Sequence, residues 1–174
     1  MNLSFQDATD EELEIYKSVV GAVVLAKIPL RRRDLRYFLG RDEGEASITS
    51  IFLKLLSVIL PGTPDEFIHI SHLSFAEFIC DPYRCGELFA IRRDVQNRTM
   101  ALACLQVMRA GLCFNICQLP TSHVRNVNIP DLASRIVHPH GPTHLTYSCC
   151  FGSDHLQTAI VDVEVVEAVI GWKS

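Results

Sequence analysis

The sequence predicts a mainly α-helical protein: three helices, a β-hairpin, a short helix, and a longer helical remainder. Apolar residues recur at helical steps through most of the first 56 positions. Two short β-branched runs, 57–60 and 67–71, flank the turn-rich Pro61-Gly62-Thr63-Pro64-Asp65. The hydrophobic period then changes within 67–85: Phe67, Ile68 and Ile70 suit a strand, whereas Leu73, Phe75, Phe78 and Ile79 are read on one side of a helix.

Each element has a local reason. Thr9-Asp10-Glu11-Glu12 has the form of a capping box, and Leu13, Tyr16, Val20, Val23 and Val24 follow at helical spacing until Pro29 ends the helix near Lys27. A second helix, 32–39, buries Leu35, Phe38 and Leu39 and stops at Gly40. The polar turn 41–45 leads to a third helix from Ala46, with Ile48, Ile51, Phe52, Leu55 and Leu56 as its apolar stripe. Three helices followed by a hairpin is the order of a winged helix. His72 sits where strand becomes helix, and either His72 or Ser74 can accept from the free N–H groups of the first turn. A helix N-terminus is partly positive, and a neutral histidine there can donate to an anion such as phosphate; the plainer reading is a histidine satisfied by backbone. Asp81-Pro82 breaks that helix. Residues 88–91 are expected to be briefly extended. A long helix, 93–110, places Val95, Leu102, Leu105 and Met108 inside and is capped by Gly111. A final helix within 160–172 packs through Ile160, Val163, Glu167 and Ile170. The expected division is a lead-in 1–12, a winged-helix unit 13–80 and a helical arm 81–174.

Composition excludes several classes. The 174 residues suffice for one ordinary domain or two small ones with a real core. Apolar residues make up 48% of them, which excludes general disorder. With a net charge of −4 there is no global field to draw in a polyanion. The acidic N-terminus lacks the basic and apolar regions of a signal peptide, and the longest apolar run, 19–26, is under half of the ~20 residues a membrane span needs. Seven cysteines, an odd number with no export signal, read as reduced thiols in a cytoplasmic protein.

The segment His72-Leu73-Ser74-Phe75-Ala76-Glu77-Phe78-Ile79-Cys80-Asp81-Pro82-Tyr83-Arg84-Cys85 resembles the stretch following the nucleotide-binding domain in fungal, basidiomycete-type NACHT proteins of the NLR-like STAND class of signalling NTPases. There the pattern H-x-S-F-x-E-F-L-x-D-P-x-R-C recurs, matched here by His72, Phe75, Glu77, Phe78, Pro82 and Cys85. The register also fits the methionine-histidine-aspartate motif of plant resistance proteins and of the apoptotic protease-activating factor, with Leu73 at its aspartate. In that class the histidine reports bound ADP to a winged-helix domain, so the resemblance implies this role for His72. Further along, Asn115-Ile116-Cys117 with Leu119-Pro120 is similar to the family's N-I-C-x-L-P, and 145–156 to its helical L-Q-Y-A-C-x-Y-W-x-x-H-L. Gly152 stands at the usual tryptophan, which places a glycine mid-helix at about 1 kcal/mol in propensity, so weaker local order is expected from there. The similarity spans about 15–156, and the final segment does not resemble the family's long helical arm.

No G-x-x-x-x-G-K-[ST] loop occurs in the sequence. No cofactor is therefore expected in isolation: ADP or ATP would enter only through a NACHT-type NTPase domain supplied in cis or trans. About ten residues precede the first helix, so the chain is read as a detached fragment or the product of a truncated gene. Three groupings offer zinc-ligand residue types, Cys80 with Cys85, Cys113 with Cys117, and His138 with His140 and His144, but none has the C-x₂-C spacing of common structural sites, and no metal is expected. Cys149-Cys150 reads as packing. Ser153-Asp154-His155 lies along one helix, where neighbours point in different directions, so no triad and no enzyme is expected. Arg31, Arg32, Arg33 and Arg36 are the candidates for phosphate contact if the winged helix stands alone and binds nucleic acid. The third helix carries only Lys54 against Glu45, so a solvated helix face is the preferred reading. A third reading is a protein-interaction module that uses an exposed apolar surface.

Overall fold

The computed structural model describes residues 9–39, 44–116, 119, 121, 123–132 and 143–171. The expectations placed on 1–8, Gly40, the turn at 41–43, Cys117, Pro120, His138, His140 and Trp172 lie outside the described residues. Helix α1, Asp10–Leu25, starts at the capping box: the Thr9 hydroxyl accepts from the Glu12 N–H at 3.2 Å, and the Glu12 carboxylate accepts from the Thr9 N–H at 3.1 Å. Tyr16, Val19, Val20 and Ala22 are fully buried, so α1 is enclosed on more than one face.

Helix α2, Arg32–Leu35, continues as a 3-10 turn, Arg36–Phe38, and buries Leu35, Phe38 and Leu39 as expected. Backbone bonds tie its approach to the hairpin loop: the Ile68 N–H donates to the Leu30 carbonyl, and the Arg32 and Arg33 N–H groups to those of Glu66 and Pro64. Helix α3, Glu45–Lys54, buries Ile48, Ile51 and Phe52, with Leu55 just beyond it. Leu56 departs from the expected stripe and is exposed, because the chain leaves the helix at Leu55 (φ −119°, ψ 12°). Strands β1, Ile59–Leu60, and β2, His69–Ile70, pair antiparallel with Ile59 opposite Ile70.

Helix α4, Leu73–Ile79, buries Phe75 and Ile79 and half-buries Phe78. Leu73, expected on the same side, is 91% exposed. Two residues on a helix subtend about 200°, so Leu73 and Phe75 face opposite ways. After the Asp81-Pro82 break comes an unexpected short helix, α5, Pro82–Cys85, with Pro82 in its first turn and the Asp81 carboxylate accepting from the Tyr83 N–H. Residues 88–91 are not extended: the Phe89 and Ala90 N–H groups turn back to the Gly86 carbonyl, and the Ile91 N–H bonds to Ile79.

Helices α6, Arg93–Gly111, and α7, Thr143–Thr158, run antiparallel, since Gly111 meets Leu145, Cys104 meets Gly152 and Asn97 meets His155. The buried face of α6 is not the expected one. Asn97, Met100, Ala101 and Cys104 are inside, Val95 is exposed, and Leu102, Leu105 and Met108 are half-buried. Where α6 and α7 approach most closely the residues are small: a Cβ on Gly152 would sit 3.2 Å from the Cys104 Cβ, and one on Gly111 3.1 Å from the Leu145 side chain. Gly111 is thus the last helical residue rather than the cap, which is Leu112. Gly152 interrupts nothing, and α7 is continuous through it.

Helix α8, Val163–Ile170, is capped by Asp162, whose carboxylate accepts from the Val165 N–H. Arg98 of α6 holds Asp162 at 2.6 Å and Glu164 at 2.5 Å. This clamp turns Val165 inward and leaves Val163 and Ile170, expected to pack, exposed. Ile160 is also more than one-third exposed. One hydrophobic core joins the elements, running from Tyr16 and Val20 through Phe52, Ile59 and Ile79 to Met100, Cys104 and Tyr147. Among the described residues no helix is long and apolar enough to cross a membrane.

Candidate functional site

The hairpin delivers His72 to an open edge. Beyond β2 the Ser71 N–H still bonds to the Val58 carbonyl at 2.9 Å, and His72 then stays extended (φ −137°, ψ 126°) as the N-cap of α4. Its carbonyl accepts from the Phe75 N–H, but its side chain makes no capping bond, contrary to that option in the sequence reading. The imidazole is exposed. It borders a surface cleft of about 490 Å³ lined by Lys54 of α3, Ser57 and Val58 before β1, Ser74, Phe75 and Phe78 of α4, and Arg84 of α5. The Arg84 guanidinium lies over the Phe78 ring, 5.6 Å from its centre. Lys54 meets the Glu12 carboxylate at 3.2 Å.

Of the other motif residues Phe75 and Phe78 line this cleft, whereas Pro82 and Cys85 border other parts of the surface. Phe75 anchors α4 in the core, Glu77 faces solvent, and Pro82 starts α5. The half-buried Cys85 thiol lies 3.5 Å from the Ile79 carbonyl, and burial pushes its pKa up, which makes it packing material rather than a nucleophile.

The arginines read as possible phosphate contacts are engaged within the fold. Arg32 bonds to Glu45 and Thr49, both at 2.7 Å, and Arg33 pairs with Asp65. Arg31 lies over Phe67 and Arg36 over Tyr37, at 5.1 and 5.0 Å from the ring centres. Phosphate contact would compete with each of these interactions.

His144 is committed to Asp34: its Nδ1 lies 3.3 Å from the Asp34 carboxylate, and its ring stacks on Tyr37 at 3.6 Å. Burial would raise the Asp34 pKa, but the hydrogen bonds from His144 and Thr143 and the charges of His144 and Arg33 outweigh it and hold it below the ordinary value. No group of three or more metal-ligating side chains forms among the described residues.

His155 belongs to a polar chain that sequence reading missed. The Lys27 N–H donates to the Tyr147 hydroxyl at 3.2 Å, Tyr147 O–H donates to His155 Nε2 at 2.8 Å, His155 Nδ1–H donates to Asn97 Oδ1 at 2.7 Å, and Asn97 Nδ2 donates to the Arg93 carbonyl at 2.8 Å. The acceptor at Asn97 selects the Nδ1–H tautomer, which leaves Nε2 to accept. Burial, with the nearby Lys27 charge, pushes the His155 pKa down to about 4. Both ring nitrogens are engaged, so His155 is no base for Ser153. A helical histidine eight residues after a tyrosine was the available signal, but its partner on α6 lies 58 positions away.

Comparison with protein-family models, with curated proteins and with solved structures gives no significant match.

Proposed function

We propose that the chain is a regulatory, non-catalytic module of STAND type: a winged helix followed by a helical arm, in which His72 reads ADP held by a separate NACHT-type nucleotide-binding domain. The observation that carries this reading is the placement of His72. It stands exposed at the end of a hairpin that follows three helices, with no capping bond, beside a cleft that also presents Lys54 and Arg84. A neutral imidazole there can donate to a phosphate oxygen brought by another domain. The resemblance of 72–85 to the family's motif supports the same role.

A histidine that touches a phosphate supplies one or two hydrogen bonds, each worth about 0.5–1.5 kcal/mol net. Affinity for ADP must then come from the other domain. The isolated chain should therefore show no Tm shift with ADP, or with ATP and magnesium. Joined to a NACHT-type NTPase domain it should slow ADP release, and His72→Leu should restore fast release. An ADP-induced shift in the isolated chain, or release indifferent to His72→Leu, would refute the reading. The alternative, a free-standing nucleic-acid binder using Arg31, Arg32, Arg33 and Arg36, is disfavoured by the partners those side chains already have. Duplex DNA affinity falling linearly with the logarithm of salt would revive it.

A further inference from the structure

Helix α8 is anchored in the core by one side chain and leaves a broader apolar face in water. Val165 is buried, whereas Val163, Val166, Val169 and Ile170 are exposed, Val163 and Ile170 to 72% and 62%. At 100° per residue these four fall within an arc of about 120°, the width of the stripe that a helix of a globular protein turns to its core. The helical backbone itself therefore gathers them on one face. Large apolar side chains gathered in this way mark contact with another molecule.

The two borders of the stripe differ. One is Val165 and the body of the protein. The other, about 40° beyond Val163 on the helix, is Glu167, which is exposed and whose carboxylate makes no bond among the described residues. Glu164 stands one step further round but is already held by Arg98 at 2.5 Å, so its charge is answered within the chain. Helix α8 carries no basic residue. The Arg109 guanidinium reaches only its far end, where it would lie 3.9 Å from a Cβ on Gly171, a full turn beyond Glu167.

These features narrow the occupant. A second copy of this chain is disfavoured by charge. Laying the stripe antiparallel on itself pairs Val163 with Ile170 and Val166 with Glu167, which brings both Glu167 carboxylates to the symmetry axis. Laying it parallel sets Glu167 opposite Asp162 of the other copy. An anionic lipid surface would meet an acidic border and no basic residue on the helix. A helix with its own apolar stripe and a lysine or arginine beside it satisfies both the valines and Glu167. We infer that the outer face of α8 docks a basic amphipathic helix of a partner protein, with leucine-sized side chains set among Val163, Val166 and Ile170 and one cation on Glu167. The inference uses neither His72 nor a nucleotide.

The test is fluorescence anisotropy on the full chain with a labelled amphipathic peptide whose leucine stripe is bordered by lysine, beside counterparts bordered by glutamine and by glutamate. The lysine peptide should bind saturably, more weakly as salt rises, and at least about tenfold more weakly to Ile170→Gln. Glu167→Lys should reverse the preference, so that the glutamate peptide binds this variant more tightly than the lysine peptide does. The Glu167 side chain is exposed, so this second variant tests the docking even where Ile170→Gln lowers the Tm. No saturable binding of the lysine peptide, equal binding of the three peptides, or an unreversed preference in Glu167→Lys would overturn the inference. Binding indifferent to Ile170→Gln would do the same. Sedimentation of the chain alone as a dimer that Ile170→Gln returns to monomer would assign the face to a second copy and overturn it too.

Discussion

The seam between α6 and α7 and the face around His72 are built on opposite principles. Along the seam the closest approach is between the small Cys104 and Gly152, and the buried polar side chains Asn97 and His155 are bonded to each other and to neighbouring groups. On α4 and α5, by contrast, Leu73 and Tyr83 lie exposed and the Arg84 guanidinium rests over the Phe78 ring. Burial explains the first region residue by residue. It leaves Leu73, Tyr83 and Arg84 unexplained, which is why the second region, and not the seam, is the place to look for function.

The largest expected effect sharpens this contrast inside one helix. Phe75→Ala should cost about 3–5 kcal/mol, the range for a core phenylalanine, whereas the half-buried Phe78 should cost about 1–2 kcal/mol in proportion to the area it hides. Denaturant unfolding of the two variants measures the difference, and equal losses would mean that the faces of α4 are assigned wrongly.

Next comes overpacking at the seam. Gly152→Ala should destabilise by about 1–3 kcal/mol, because its new Cβ would meet Cys104 at 3.2 Å. Gly21→Ala tests the same principle where α1 crosses α6, against Gln96 at 2.6 Å. A neutral or stabilising result at both sites would show that the helices can move apart freely.

Acid should then act on the seam through His155. Its folded pKa, about 4, lies below the ordinary value of 6.5, so the unfolded chain takes up the proton first. The contribution is whole above about pH 6.5 and is lost as pH falls toward about 4, on the order of 2 kcal/mol. The Tm of the wild type should fall more steeply over this window than that of His155→Gln; parallel slopes would remove His155 as the cause.

The smallest effect is the most pointed for the other face. Leu73→Gln should change stability by no more than about 0.5 kcal/mol, as for any exposed position free of special contacts. A loss beyond about 1 kcal/mol in thermal unfolding would make Leu73 a structural residue.

What the sequence determined by itself is what depends on a few neighbouring residues. The Thr9 and Glu12 box, the hairpin around Pro61 to Asp65, the Asp81-Pro82 break and the extended His72 before α4 all stand where local chemistry places them. A cap or a tight turn closes its hydrogen bonds within about four residues, so the reason for it is printed in the same stretch. Only the tertiary structure decided which side of α6 and α8 turns inward. Val95 and Val163 are apolar at helical spacing, yet they lost the interior to Asn97 and Val165, because Asn97 bonds to the buried His155 of α7 and Arg98 clamps Asp162 and Glu164. Tertiary structure likewise engaged the arginines at 31–36 and joined His155 to Asn97. A helix's periodicity says that it has an apolar stripe, but the choice among several stripes belongs to the partner surface, and that partner lies tens of residues away in the chain.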